Sequence, residues 1–172
     1  IVDRMRIAEG SLDEETRAAV QRLARAGALC NEAAFRREDG PFHRFGDTVD
    51  VAFLVLAAKT GLWRESLIAA APETRFIPFE PARRFAASFN RAADGTVALS
   101  VKGAAEAVIP MCRSIADGGI DHALALARAD ALAQRGFRVL AVAGREGLAA
   151  GAGEESLGAL DFGIIIDGAV VI

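Results

Sequence analysis

The stretch that decides the fold runs Arg84-Phe85-Ala86-Ala87-Ser88-Phe89-Asn90, then Arg91 to Ala93, Asp94-Gly95, and Thr96-Val97-Ala98-Leu99-Ser100-Val101-Lys102. Both arms alternate with a period of two, the spacing of a strand whose successive side chains point to opposite faces. Phe85, Ala87 and Phe89 share one face of the first arm, and Arg84, Ala86, Ser88 and Asn90 share the other. In the second arm Val97, Leu99 and Val101 oppose Thr96, Ala98, Ser100 and Lys102. Asp94-Gly95 is a turn signal. The stretch predicts a hairpin with one greasy face and one polar face.

Downstream, Gly103 breaks the pattern and Ala104 to Cys112 reads as a short helix. A longer helix is predicted from His122 to Arg135, ended by Gly136. Phe137 to Ala143 and Leu157 to Ile166 read as strands, with a small-residue loop, Ala149 to Gly153, between them. Upstream, Arg75 to Phe79 reads as a short strand, and Pro81 stops its ladder because proline has no N–H to donate. Trp63 to Ala71 is a short helix closed by Pro72. Asp47 caps an earlier helix that ends at Gly61; its Val51 to Ala58 run is apolar on nearly all sides, which predicts deep burial. Cys30 to Phe45 reads as an irregular connection. Leu12, Ala19, Val20, Leu23 and Ala24 recur at helical spacing after a Ser11-x-x-Glu14 capping box, up to a stop at Gly27. Arg4 to Ile7 reads as a short strand. Helices, hairpin, helices and strands in that order predict an α+β fold. It is a mainly antiparallel twisted β-sheet flanked by helices, not a series of βαβ units.

With 172 residues, 52% hydrophobic and 25% charged, the chain fits a single domain over residues 1–172 and excludes intrinsic disorder. Lys plus Arg is 20 and Asp plus Glu is 23, a net charge of -3 that argues against a nucleic-acid surface. Cys30, Cys112, His43 and His122 have no metal-ligand spacing, so no metal site is expected and the thiols are read as buried and reduced. No apolar run reaches the roughly 20 residues that cross a bilayer. Asp3, Arg4 and Arg6 interrupt the start where a signal peptide would be apolar. The polypeptide itself is expected to be soluble. There is no Walker-type loop, no G-x-G-x-x-G and no G-x-S-x-G elbow. No nucleophile, base and orienter can be assembled, so no catalytic residue is assigned.

Some residues admit a functional and an ordinary reading. Arg84 and Lys102 fall on the same hairpin face, and two close cations need an anion between them. They mark either an anion or phosphate site or a solvated outer face. Arg138 shares a strand face with Leu140 and Val142; it either lines a cleft or snorkels from a strand end. Phe79, at a strand end, either stacks on a planar base or packs in the core. Asp50 is either a helix first-turn acid or an acceptor for an exocyclic amine.

Four ordered segments carry a family resemblance: Gly46-Asp47-Thr48-Val49-Asp50-Val51-Ala52, Ile77 to Phe85, Lys102-Gly103-Ala104-Ala105-Glu106, and Gly136-Phe137-Arg138-Val139-Leu140-Ala141-Val142-Ala143. Together they resemble the nucleotide-binding (N) domain of P-type cation-transporting ATPases, most like the type II group that includes calcium pumps. The resemblance implies that Phe79 stacks on adenine and that Asp50, where the family usually has Glu, accepts from the adenine amine. It implies that Arg84 and Lys102 line the pocket near base and phosphates, and that Gly103 lets backbone approach the nucleotide. Arg138 would contact phosphate or ribose and Leu140 would wall the base. Pro81 and Ala105 depart from the pattern: the first stands where calcium pumps have a phosphate-touching Arg, the second where the family has Pro.

The family's Asp-Lys-Thr-Gly-Thr phosphorylation motif is not in this sequence, nor are its transmembrane helices or actuator motif. The resemblance therefore implies a cytoplasmic domain excised from an integral membrane pump. Its ligand is ATP, with Mg2+ in the full-length enzyme, and it works with the phosphorylation and actuator domains of the same polypeptide. The parent would couple an aspartyl-phosphate in a neighbouring domain to cation transport, the cation passing through an absent membrane domain. The rival readings are a nucleotide-sensing module and a protein-interaction module with a degenerate pocket.

Overall fold

Alternation in the Arg84 to Lys102 stretch does produce a hairpin, and the sheet grows outward from it. The computed structural model describes residues 14–37, 42–115, 118–158, 160 and 162–165. Its elements are α1 (Glu14–Leu29), β1 (Ala34–Arg37), β2 (Phe42–Phe45), α2 (Thr48–Lys59), α3 (Arg64–Ala70), β3 (Glu73–Ile77), β4 (Phe85–Arg91), β5 (Val97–Gly103), α4 (Ala105–Val108), β6 (Ser114–Ile115), β7 (Gly118–Gly119), α5 (His122–Gln134), β8 (Ala141–Leu148) and β9 (Phe162–Ile165). Short 3-10 turns lie at Ile109–Met111 and Glu154–Gly158. Five strands form one sheet in the order β3-β4-β5-β8-β9, and every neighbouring pair is antiparallel. The α+β expectation holds.

The greasy face behaves as its pattern dictates. Phe85, Ala87, Phe89, Val97, Leu99 and Val101 are buried in one core with Val108, Ile109 and the α5 residues Ala125 and Ala129. Most of the polar face is also buried, which excludes the solvated reading for Lys102, while Arg84 remains exposed. Ala86, Ser88, Asn90, Ser100 and Lys102 all lie out of water. On this side Leu23 and Ala26 of α1 and Phe53 of α2 pack with Val142 of β8. Small residues let the helices approach, and the polar ones find partners, as buried polar groups must. The Ser88 hydroxyl sits 2.8 Å from Asn90 Oδ1 and 3.1 Å from Glu73 Oε2, and Asn90 Nδ2 donates to the Ala71 carbonyl at 3.1 Å.

Several boundaries move. Helix α1 does not stop at Gly27 but runs to Leu29. Gly27 serves close packing instead: a Cβ added there would lie 2.2 Å from Phe53 Cδ1 of α2. The 30–45 connection contains the β1–β2 hairpin, paired from Ala34↔Phe45 to Arg37↔Phe42. Strand β3 spans Glu73–Ile77 rather than Arg75 to Phe79, so Pro81 lies in a turn and terminates no ladder. The Phe137 to Ala143 strand begins only at Ala141. The Leu157 to Ile166 strand is the 3-10 turn at Glu154–Gly158 followed by β9. Gly103 closes β5 rather than breaking it. Arg4 to Ile7 and Ser11 lie outside the described residues.

The Asp47 cap is present, its carboxylate accepting from Val49 N at 2.8 Å, and Gly61 takes φ +81° after the helix. Asp121 likewise caps α5 by accepting from Leu124 N at 3.0 Å.

The α1–α2 contact generates a stability test. Gly to Ala in a helix interior ordinarily gains about 0.5–1 kcal/mol. Gly27→Ala is expected instead to lose about 1–3 kcal/mol through overpacking against Phe53. Urea unfolding checks it, and a gain would contradict the packing assigned to Gly27.

Candidate functional site

Strand register collects the candidate residues at one end of the sheet. Ile77 faces Ala87, Phe85 faces Gly103, and Gly103 faces Ala141. The end of β3, the start of β4, the end of β5 and the start of β8 therefore share an edge. Phe79, Arg84, Lys102, Gly103, Arg138 and Leu140 lie on that edge or within three residues of it.

Lys102 is the polar centre of this end. It stands opposite Ala86 on one side and Val142 on the other. Its ammonium pairs with Asp50 Oδ1 at 2.5 Å, and the two side chains are 9% and 16% exposed. The same ammonium lies 5.5 Å from the centre of the Phe53 ring, a cation–π distance. Asp50 falls in the first turn of α2, where a carboxylate is favoured by the helix dipole. Its Oδ2 accepts from Glu32 N at 3.1 Å. The sequence offered two roles for Asp50; the fold adds a third, counter-ion to Lys102.

Arg84 does not join Lys102 on a strand face. It precedes β4 with φ +58°, a left-handed conformation that costs a non-glycine residue roughly 1 kcal/mol or more. The turn holds it there: Arg84 N donates to Glu80 O at 2.7 Å, and Arg84 O accepts from Ala104 N at 2.9 Å. Its guanidinium pairs with Glu106 at 2.6 Å. The two cations are thus neutralised by two different carboxylates.

Gly103 is buried, and its missing side chain is explained within the protein. A Cβ there would lie 2.3 Å from the Arg84 carbonyl and 2.7 Å from Phe85 Cα. Phe79 is not a core residue; it is 54% exposed. Leu140 is partly buried against the Leu23, Ala26, Phe53 and Val142 cluster. Arg138 is exposed and precedes β8, so the shared strand face with Leu140 and Val142 does not exist; it has no ion-pair partner among the described residues.

The turn at 31–33 was missed, because a loop's bonding leaves no periodicity to read. Asn31 is buried, and its Nδ2 donates to Gly27 O at 3.0 Å and to Asp50 O at 2.9 Å. Its Oδ1 accepts from Ala33 N at 2.9 Å, and its carbonyl accepts from Arg64 at 2.7 Å. One side chain ties the end of α1 to the first turn of α2. The available signal was an Asn four residues after Gly27, a residue type that bonds nearby backbone at helix ends.

Cys30 is fully buried, and burial pushes its thiol from an ordinary 9.0 up to about 12, with Lys102 pulling the other way. Burial likewise raises Cys112 to about 11. Among the described residues no group of three or more His, Cys, Asp or Glu could hold a metal ion. A separate cavity of about 310 Å³ lies further along β5, lined by Arg22, Arg25, Ser100 and Glu146 among others.

Comparison with known proteins names the class. The family model for the cytoplasmic N domain of P-type ATPases matches residues 19–152, and the chain belongs to that family. Over 133 residues it is 38% identical to the probable cation-transporting ATPase F of Mycobacterium tuberculosis and to that of Mycobacterium bovis. That match covers 74% of this chain and 14% of the relative's length. Over 70 residues it is 47% identical to the probable cation-transporting ATPase I of Mycobacterium tuberculosis, covering 40% of this chain and 4% of that protein. The chain thus spans a small part of the relatives it matches. No helix among the described residues is long and apolar enough to cross a membrane.

Two predictions follow from the charge pair and the thiol beside it. Removing one partner strands a covered charge, so Lys102→Met or Asp50→Asn alone is expected to destabilise, by up to about 3–5 kcal/mol, while the double variant recovers most of the loss. A double variant whose loss is the sum of the two single losses would contradict the pair. The raised Cys30 pKa contributes stability that is fully present below pH 9.0 and is lost as pH rises toward about 12. Cys30→Ala should flatten that alkaline decline in denaturant melts; an unchanged slope would show that Cys30 is not its source.

Proposed function

We propose that this chain binds ATP at the sheet end described above and presents its γ-phosphate to a neighbouring domain. The observation that carries the reading is the convergence of an exposed aromatic, a fixed ammonium–carboxylate pair and exposed Arg138 at one strand edge, within a fold of this family. Phe79 stacks on adenine, and Leu140 walls the base. Lys102, held by Asp50 and underpinned by Phe53, forms the cationic floor. Asp50 contributes to the base end of the pocket through this pairing. Arg84 and Arg138 serve the ribose and phosphates. Gly103 acts indirectly by keeping the Arg84 turn pressed against β5.

The chain's residues orient and hold; they supply no nucleophile. In the parent, an aspartate of the phosphorylation domain takes the γ-phosphate, and the actuator domain of the same polypeptide completes the cycle. Magnesium accompanying ATP would neutralise phosphate charge. Its ligands would be the phosphates of ATP and groups of the neighbouring phosphorylation domain. The parent is a membrane-embedded cation pump of the type II, calcium-pump-like group, and residues 1–172 are its cytoplasmic nucleotide-binding domain. Modest affinity suits this role, because each cycle must exchange the nucleotide.

An amide NMR titration tests the reading. ATP is expected to give saturable shifts at Asp50, Phe79, Lys102 and Arg138. Phe79→Ala should weaken ATP roughly tenfold, the scale of one base stacked on one ring, without loss of stability, since the ring is exposed. Arg138→Ala should weaken ATP but not adenosine. An absence of shifts at millimolar ATP would contradict the proposal and favour a protein-interaction module with this fold.

A further inference from the structure

We infer that the cavity between α1, β5 and β8 is a second small-molecule site, taking an organic anion: a carboxylate or phosphate head on an apolar body. It measures about 310 Å³, within the roughly 300–1,000 Å³ of small-molecule sites. Its helix wall is one stripe of α1, Arg22, Arg25, Ala26 and Leu29, at the spacing of a single helix face. The sheet wall is Ala98 and Ser100 of β5 and Glu146 of β8. Phe79, Arg138 and Leu140 do not line it, so it is distinct from the nucleotide edge. Protein interiors are close-packed, and a space of this size beneath a helix needs a cause. Ala98 and Ser100 are small, and Gly144 of β8 stands opposite Ser100 with no side chain. The Phe53 ring that fills the gap at Gly27 is not among the lining side chains. Strand β8 also carries one extra residue there, so Glu146 and Gly147 together oppose Ala98, with Gly147 at φ +69°. Such a bulge bends a strand and opens its ladder.

The charges of the cavity point to an anion. Arg25 is half-buried and Ser100 is buried, whereas Arg22 and Glu146 are exposed and stand at the mouth. Arg22 and Arg25 are three residues apart on one helix face, where like charges repel. No acidic residue stands three or four positions from either in α1. Among the described residues neither guanidinium has an ion pair, and neither does the Glu146 carboxylate. The Ser100 hydroxyl makes no hydrogen bond to the described residues. Two cations against one carboxylate leave a net positive charge. Guanidiniums present their donors in a fixed fork that matches carboxylate and phosphate oxygens, and the Ser100 hydroxyl adds one donor more. Ala26, Leu29 and Ala98 supply apolar contact. An anion with a hydrocarbon body covers that surface, and a bare ion does not. Glu146 opposes the anion, so its removal acts with the opposite sign.

Amide NMR titration of the 172-residue chain with phenyl phosphate and with phenylacetate tests the assignment. The two probes carry the two head groups on one apolar body, and the tighter binder identifies the head group. Saturable shifts are expected from Arg22 to Leu29, at Ala98 and Ser100, and from Gly144 to Glu146. Inorganic phosphate, without the apolar body, and benzyl alcohol, without the charge, should both bind more weakly. Arg22→Gln and Arg25→Gln should each weaken the tighter probe roughly tenfold, the scale of one charge-assisted hydrogen bond. Glu146→Gln should strengthen it, and Arg128→Gln on α5 should leave it unchanged. Neither Arg22 nor Arg25 has an ion pair to lose, so the variants should unfold at the wild-type midpoint. Shifts confined to Phe79, Lys102 and Arg138, with displacement of the probe by ATP, would overturn the inference and return the anion to the strand edge. Equal weakening by Arg128→Gln would overturn it by reducing the binding to general charge attraction. An absence of saturable shifts at millimolar probe would overturn it outright, and none of these outcomes bears on ATP at the strand edge.

Discussion

A lysine buried between a sheet and the helices that cover it requires a counter-ion, and the whole site end of this protein is organised by that requirement. Lys102 points from β5 into the layer occupied by α1 and α2, and Asp50, 52 residues earlier, meets it. The pair pins the first turn of α2 to the sheet edge. One turn further on, Phe53 slides its ring beneath the ammonium. That ring occupies the space left by the absent side chain of Gly27 in α1. Charge pair, ring and glycine therefore fix the mutual register of α1, α2 and β5. The 31–33 turn locks the arrangement from outside through Asn31, Glu32 N and Arg64. Such a pair adds less to net stability than to uniqueness of the arrangement, because desolvation offsets much of its attraction.

Period-two alternation was enough to locate the β4–β5 hairpin and the greasy face, because its signal is purely local. The burial of the second face was not legible. Ala86, Ser88, Asn90 and Ser100 look like a surface in composition, yet they are buried. What decides between the two is whether polar atoms find partners, and Ala71 O and Glu73, which supply them, come from elsewhere in the chain. The same logic explains Gly27. A glycine near a helix end reads as a stop, whereas its reason here is a ring approaching from another helix.

The sequence brought out the candidate residues, but their geometry only in part. Phe79, Lys102, Arg138 and Leu140 gather where strand register predicts they can meet. Arg84 escaped the alternation rule because a turn held by Glu80 and Ala104 throws it into a left-handed conformation. Gly103, at the end of β5, packs against that same turn. The role of Asp50 changed most. A first-turn acid on a helix gives no hint of a lysine four elements later in the chain, and only the folded register brings them together.

The central claim is that a purine ring lies against Phe79 at this sheet end. Isotope-edited NOE spectroscopy of the ATP-saturated chain measures it directly. Contacts from adenine H2 and H8 to the Phe79 ring and the Leu140 methyls are the predicted result. Contacts instead to Leu29 or Ala98, in the cavity further along β5, would contradict the account by placing the nucleotide elsewhere on the same fold.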